Sequence, residues 1–174
     1  MLFYHLDRDN MLKDKAFMTL LPEPSDCLGS MSELLEGLFP LGLSSHGEKY
    51  FYNTTLLEKS SDKVAELIFE YIRLKWFPHL PSRYQAYFAF LSYEDLIKSP
   101  LFDISRYIYE IETDNYFIAD MNLLSGAFFR FEDANYTNIP IVAERAKQYW
   151  SGQYSDNPQP EVLIIPPAKI IRRL

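Results

Sequence analysis

One long amphipathic segment constrains the fold more than any other feature. From Ser61 to Phe77, the residues Val64, Leu67, Ile68, Tyr71, Ile72 and Lys75 recur at helical spacing. Ser60 or Ser61 can cap this helix, Asp62 sits in its first turn, and Pro78 and Pro81 end it. The character then changes at once. Ser82 to Phe90 alternates as a strand, with Tyr84, Ala86, Phe88 and Phe90 on one side. A short helix opens at Ser92-Tyr93-Glu94-Asp95 and stops at Pro100, and Ile104 to Thr113 reads as a strong strand. Asp120 to Phe129 predicts a short helix and Ile141 to Trp150 an amphipathic one, on Ile141, Val142, Ala146 and Tyr149. A polar loop, residues 151–160, leads to two short strands, Glu161 to Ile165 and Lys169 to Ile171, around Pro166-Pro167.

The chain before the long helix is less regular. Leu2 to Leu6 reads as a strand, Asp7 to Lys15 as a turn or short helix, and Thr19 to Pro24 as extended. Residues 25–61 are rich in Ser, Gly and Pro, with one helix start at Ser30-Met31-Ser32-Glu33 and an apolar face of Leu34, Leu35 and Leu38. They predict a long loop arm over a site. Strands and helices thus mix without a repeated strand–helix–strand unit, which predicts an α+β fold. The length of 174 residues predicts one domain over residues 1–174.

Composition narrows the function classes. Tyr and Phe number 13 each, so the core is expected to be aromatic, with some rings available to line a cleft. The formal net charge of −7 argues against broad electrostatic binding to nucleic acid. Cys27 is the lone cysteine, so neither an internal disulfide framework nor a cysteine zinc site is expected. The start, MLFYHLDRDN, carries charges where a signal peptide needs an apolar run, and no stretch approaches a membrane span. The expectation is a cytoplasmic protein with no membrane partner.

Phosphate-loop, dinucleotide-fingerprint, zinc-protease and nucleophile-elbow signatures are absent. His5, His46 and His79 have no metal-ligand spacing. Glu110 and Glu112 share one side of a strand, as a solvated face or an acid pair. Three places carry more. Tyr4-His5 lies on the first strand before a charged turn. Ser82-Arg83-Tyr84-Gln85 follows two prolines. Gln159-Pro160-Glu161-Val162-Leu163-Ile164-Ile165 sets one carboxylate at the start of an apolar strand, at the rim of a sheet.

In that order these features resemble the ADP-ribosyltransferase superfamily, with a polar residue on the first strand, a Ser- or Tyr-containing middle strand and a late Glu. Phe3-Tyr4-His5 is similar to its subgroup with His on the first strand. Glu161-Val162-Leu163-Ile164-Ile165-Pro166 resembles the late strand of its DNA-modifying toxins. The segment Ser82 to Phe90, with Tyr149-Trp150-Ser151-Gly152 and Glu161-Val162-Leu163, looks like an uncharacterised bacterial domain family of the DUF2441 type, associated with the same fold of split sheets and flanking helices. The resemblance implies NAD as substrate and transfer of ADP-ribose to an acceptor, whether protein, nucleic acid or small molecule. It implies Glu161 as the catalytic carboxylate, stabilising the oxocarbenium-like ribosyl cation. It implies His5 on the adenosine ribose, Arg83 on the diphosphate, Tyr84 or Tyr87 against nicotinamide, and Ser82 on the strand or the amide. Gln159, two residues before Glu161, matches the Gln-x-Glu arrangement of arginine-directed toxins and implies a role in orienting the acceptor. A Ser-Thr-Ser triplet on the middle strand is missing. The resemblance therefore leaves open a toxin or effector transferase, an NAD glycohydrolase, and a binding domain that has lost the chemistry.

Overall fold

The computed structural model describes residues 1–8, 10–21, 37–52, 61–125, 128–131, 134–137 and 139–174. Its strands are β1 (Leu2–Asp7), β2 (Phe17–Met18), β3 (Tyr87–Ala89), β4 (Tyr107–Glu112), β5 (Tyr116–Asp120), β6 (Phe128–Phe131), β7 (Ala134–Thr137), β8 (Pro160–Ile164) and β9 (Ala168–Arg173). Its α-helices are α1 (Ser45–Gly47), α2 (Ser61–Trp76), α3 (Tyr93–Lys98), α4 (Met121–Ser125) and α5 (Ile139–Trp150). The fold is α+β, as expected.

Among the described residues, every strand pairing is antiparallel. One sheet has the order β1-β4-β9-β2, a second β3-β8-β5, and β6 with β7 forms a separate ribbon. The two larger sheets touch where Tyr4 of β1 bridges Phe90, just beyond β3.

Alternation along β8 divides the core into two layers. Val162 and Ile164 face the four-stranded sheet, packing with Phe3, Tyr109, Ile111 and Met18. Leu163 faces the opposite way, into the helices, among Phe69, Ile72, Val142, Ala146, Tyr149 and Trp150. Side chains two apart share a strand face. Glu161 is therefore carried to the helix side with Leu163. Trp150 closes this layer by donating its indole N–H to the carbonyl of Phe69 at 2.8 Å and stacking on Phe117. The aromatic core expected from composition is present in both layers.

Several elements match their sequence signals. The helix predicted over residues 61–77 spans Ser61–Trp76, and Ser92 caps α3 by accepting from the Asp95 amide. The face of α2 is corrected in part: Ile72 is buried and Ile68 packs against the core, as predicted. Val64, Leu67 and Tyr71 are exposed, and the buried face carries Ala65, Phe69 and Ile72 interleaved with Glu66, Glu70 and Arg73. Apolar periodicity misassigned it because three charged residues lie inside. The strand predicted over residues 82–90 is also shorter than expected: Arg83–Gln85 forms a 3₁₀ turn capped by Ser82, and pairing starts at Tyr87. Tyr84 leaves the predicted stripe and packs with Phe39 and Leu43 instead. The predicted strand over residues 104–113 is confined to Tyr107–Glu112, and the helix over residues 120–129 stops at Ser125 and gives way to β6. The helix start at residues 30–33 lies outside the described residues.

Leu163 is fully buried in the middle strand of its sheet. Leu163→Ala is expected to cost about 2–5 kcal/mol, read from urea denaturation. A loss under about 1 kcal/mol would contradict its placement between sheet and helices.

Candidate functional site

The site forms where a helix, a turn and a strand each deliver one charged group to the same buried point. Glu66 comes from α2, Arg83 from the 3₁₀ turn and Glu161 from β8; all three are buried. The Arg83 guanidinium donates through Nε to one Glu66 oxygen at 2.8 Å and through Nη2 to the other at 3.0 Å. Its Nη1 donates to Glu161 at 2.5 Å and also bonds the hydroxyl of Tyr149, from α5. The Tyr149 hydroxyl in turn donates to the same Glu161 oxygen at 2.8 Å. A buried charge is tolerated only when paired and hydrogen-bonded, and here one fork serves two carboxylates.

Local folding explains why these groups meet. Arg73, near the end of α2, is clamped by both oxygens of Glu70 and donates to the Leu80 carbonyl at 2.8 Å. It thereby ties the proline-rich turn after α2 to the helix. Ser82 accepts from the Tyr84 amide and fixes the turn that carries Arg83. The carbonyl of Tyr84 receives both the amide and the hydroxyl of Ser44, at 2.9 and 3.0 Å. Gly47 lies against that same carbonyl, where an added Cβ would stand 2.0 Å from the oxygen, so only glycine allows α1 to seat there. Seated so, α1 brings His46 within 3.3 Å of Glu66.

On the Glu161 side, buried Asp120 at the end of β5 accepts from the amides of Asn122, Ser155 and Gln159 and from the Ser155 hydroxyl. These bonds fold residues 151–159 back and set the start of β8. They also hold the Asp120 carboxyl below its usual range although burial alone would raise it.

The electrostatics follow from this packing. Burial alone would raise the Glu66 carboxyl, but Arg83 and His46 more than offset it and hold it at about 2. Burial opposes charge on Arg83 too, and Glu161 with Glu66 reverses that, leaving the guanidinium firmly protonated. Burial raises the Tyr149 phenol well above its ordinary value, so it stays a donor. Counting carboxylates and guanidinium alone, the cluster carries one excess negative charge.

Two cavities flank Phe88, whose ring lies 4.6 Å from the Arg83 guanidinium carbon and 4.6 Å from the His46 ring. One, of about 320 Å³, is mainly apolar and has Glu161 and Gln159 in its wall. The other, of about 180 Å³, is polar and holds His5, His46, Tyr87, Arg8, Lys49 and Arg106. Phe88, Leu6 and Arg8 line both.

The predicted site residues are spread over the two cavities and the core. His5 and Tyr87 line the smaller cavity, and Glu161 lines the larger one. The His5 ring meets Tyr87 edge-on at 5.8 Å, and its Nδ1 lies 2.7 Å from the carbonyl of Phe88. Tyr87 donates its hydroxyl to the carbonyl of Thr19 at 2.8 Å, and burial pushes the phenol up to about 12. Arg83, Ser82 and Tyr84 line neither cavity. Arg83 is buried and bonds Glu66, Glu161 and Tyr149 through Nε, Nη1 and Nη2, so it orients carboxylates inside the fold. Tyr84 packs in its own apolar cluster with Phe39 and Leu43. Glu110, on β4, is paired with Arg172 across the strands at 2.6 Å, and Glu112 with Lys169, so these two form a salt-bridged face. Sequence reasoning missed Glu66, Tyr149 and His46.

A family model described as protein of unknown function (DUF2441) matches residues 31–174. The chain belongs to this family. No curated protein matches it significantly. The DUF2441 span holds every member of the buried cluster, from His46 to Glu161, whereas β1 with His5 precedes it. Among the described residues there is no group of three or more metal-ligating side chains, and no helix is long and apolar enough to cross a membrane.

Two outcomes test this construction. Gly47→Ala is expected to cost at least about 2 kcal/mol in urea denaturation, because the Tyr84 backbone must shift; a neutral substitution would show that α1 does not seat there. Glu66 gives a pH signature. Its carboxyl is lower in the folded chain than its ordinary 4.5, so its contribution is full above that pH and is lost as pH falls toward about 2. That amounts to on the order of 3 kcal/mol, and Glu66→Gln should flatten the acid limb of stability against pH by a comparable amount. Parallel limbs for the two proteins would refute the assignment.

Proposed function

We propose that the chain is an NAD-cleaving enzyme of the ADP-ribosyltransferase type, a single domain whose two larger sheets form that superfamily's split-sheet core. The observation that carries this reading is the adjacency of two cavities that share Phe88: His5 on β1 and Tyr87 on β3 line one, and Glu161 on β8 lines the other.

In this reading the dinucleotide lies across Phe88. Its diphosphate meets Arg8, Lys49 and Arg106, in place of the buried Arg83. These three cations line a cavity whose one acidic wall residue among those described, Asp7, already accepts from the amides of Met11 and Leu12; Arg106 also pairs with Asp103 at 3.4 Å. His5 faces the adenosine ribose and Tyr87 supports the binding wall. Glu161 stabilises positive charge on the ribosyl carbon as the bond to nicotinamide breaks and its electron pair leaves with nicotinamide. The acceptor's lone pair then forms the new bond, and the acceptor's proton passes to Glu161 or to water. When water is the acceptor, the same site is an NAD glycohydrolase. We place the protein in the cytoplasm, where NAD is available.

A second reading has one specific observation behind it. Glu161 is engaged by both Arg83 and Tyr149, an arrangement that also suits a binding domain without chemistry.

The test is nicotinamide release from NAD by the purified protein beside Glu161→Gln. Release that falls at least 100-fold in a variant shown by circular dichroism to be folded at the assay temperature is the expected result. Equal release from both proteins would remove Glu161 from the reaction. No release from either, with NAD binding in a titration, would favour the binding domain.

A further inference from the structure

The cavity of about 320 Å³ on the Glu161 side of Phe88 has a polarity that the NAD reading does not use. Its body is apolar, built from Leu6, Phe88, Phe90, Leu101, Met121 and the prolines at positions 100, 158 and 160. Its polar groups are of opposite kinds. Glu161 belongs to the buried cluster with one excess negative charge. Arg8 and Lys98, both exposed, are the cations of the wall, and neither forms an ion pair among the described residues. The remaining carboxylate, Asp95, accepts from the Ser92 hydroxyl, which in turn accepts from the Asp95 amide at the start of α3.

From this we infer that the cavity is a binding site for a small flat molecule with an apolar ring body, an N–H or O–H donor directed at Glu161, and an anionic group met by Arg8 and Lys98. Flat rings suit a slot walled by phenylalanine and proline. A donor satisfies a buried carboxylate oxygen at low cost, because Arg83 and Tyr149 already hold the carboxylate in place. The anionic group gains from cations that, among the described residues, have no carboxylate to lose. A protein arginine side chain fits this polarity poorly, since it carries its charge at the reacting end and no anion behind it. The role of this molecule as acceptor rests on the NAD-cleaving reading above; its binding does not.

The experiment is titration calorimetry of the full chain with 6-amino-2-naphthoate, against 2-naphthoate, which lacks the donor, and 2-aminonaphthalene, which lacks the anion. The aminonaphthoate is expected to bind at least about 10-fold more tightly than either. Lys98→Ala should erase its advantage over 2-aminonaphthalene while leaving thermal stability unchanged. Ala89→Trp, which fills the slot, should abolish binding of all three, and Leu101→Glu serves the same purpose if that variant fails to fold. Equal affinity for the three probes, or no binding by any, would overturn the proposal. Nicotinamide release measured on the same samples separates the two readings. Probe binding without NAD cleavage keeps the site and removes the acceptor role; cleavage without probe binding removes the site and keeps the enzyme.

Discussion

One guanidinium shared by two carboxylates is the constraint around which the rest is arranged. Glu66, Arg83 and Glu161 are distant in sequence and stand on a helix, a turn and a strand, so their meeting requires both core layers to be in register. The cluster forms only if α2 packs against the three-stranded sheet, if the turn after α2 is drawn back by Arg73, and if β8 starts where Asp120 sets it. Removing one partner strands a buried charge, which typically costs 3–5 kcal/mol, whereas an apolar replacement of the whole set is often neutral. Stability alone therefore does not account for a buried ionic cluster here. Its two ends offer a better account: Glu161 reaches one cavity and His46 the other.

Much of the fold was legible because it rests on local signals. The ends of α2, the cap of α3 and the apolar run of β8 depend on residues within a turn or a strand of each other. The buried face of α2 was not legible. Glu66, Glu70 and Arg73 occupy positions that apolar periodicity assigns to solvent, and only the tertiary partners Arg83 and the Leu80 carbonyl make them interior. The spacing of these three charges around Phe69 and Ile72 was the available hint, and it is equally the spacing of a solvated salt-bridged stripe. β5, β6 and β7 were missed for a related reason. Tyr116 to Asp120 follows the strong β4 signal after a short turn, and its strand character comes from pairing with β8.

The candidate site shows the same division. His5, Tyr87 and Glu161 lie on strands, as their local sequence suggested, and each lines a cavity. Arg83 could be picked out too, but its role could not be read, since a guanidinium suits a carboxylate as well as a phosphate. The deciding fact was the position of Glu66, which the helical pattern hid.

Glu66 also bears on an objection to the role proposed for Glu161. A carboxylate with an arginine at 2.5 Å is a poor source of field for a cation, because the pair is close to neutral. Here the arginine is shared. Glu66 takes Nε and Nη2 in a two-pronged contact and leaves Glu161 with Nη1 alone. The Arg83 charge is thereby shared with Glu66, which stands away from the cavity that Glu161 lines. Tyr149 and Arg83 fix the Glu161 carboxylate before any ligand arrives, so holding it needs no reorganisation. The bonds that lock the fold thus also fix a residue that lines a cavity.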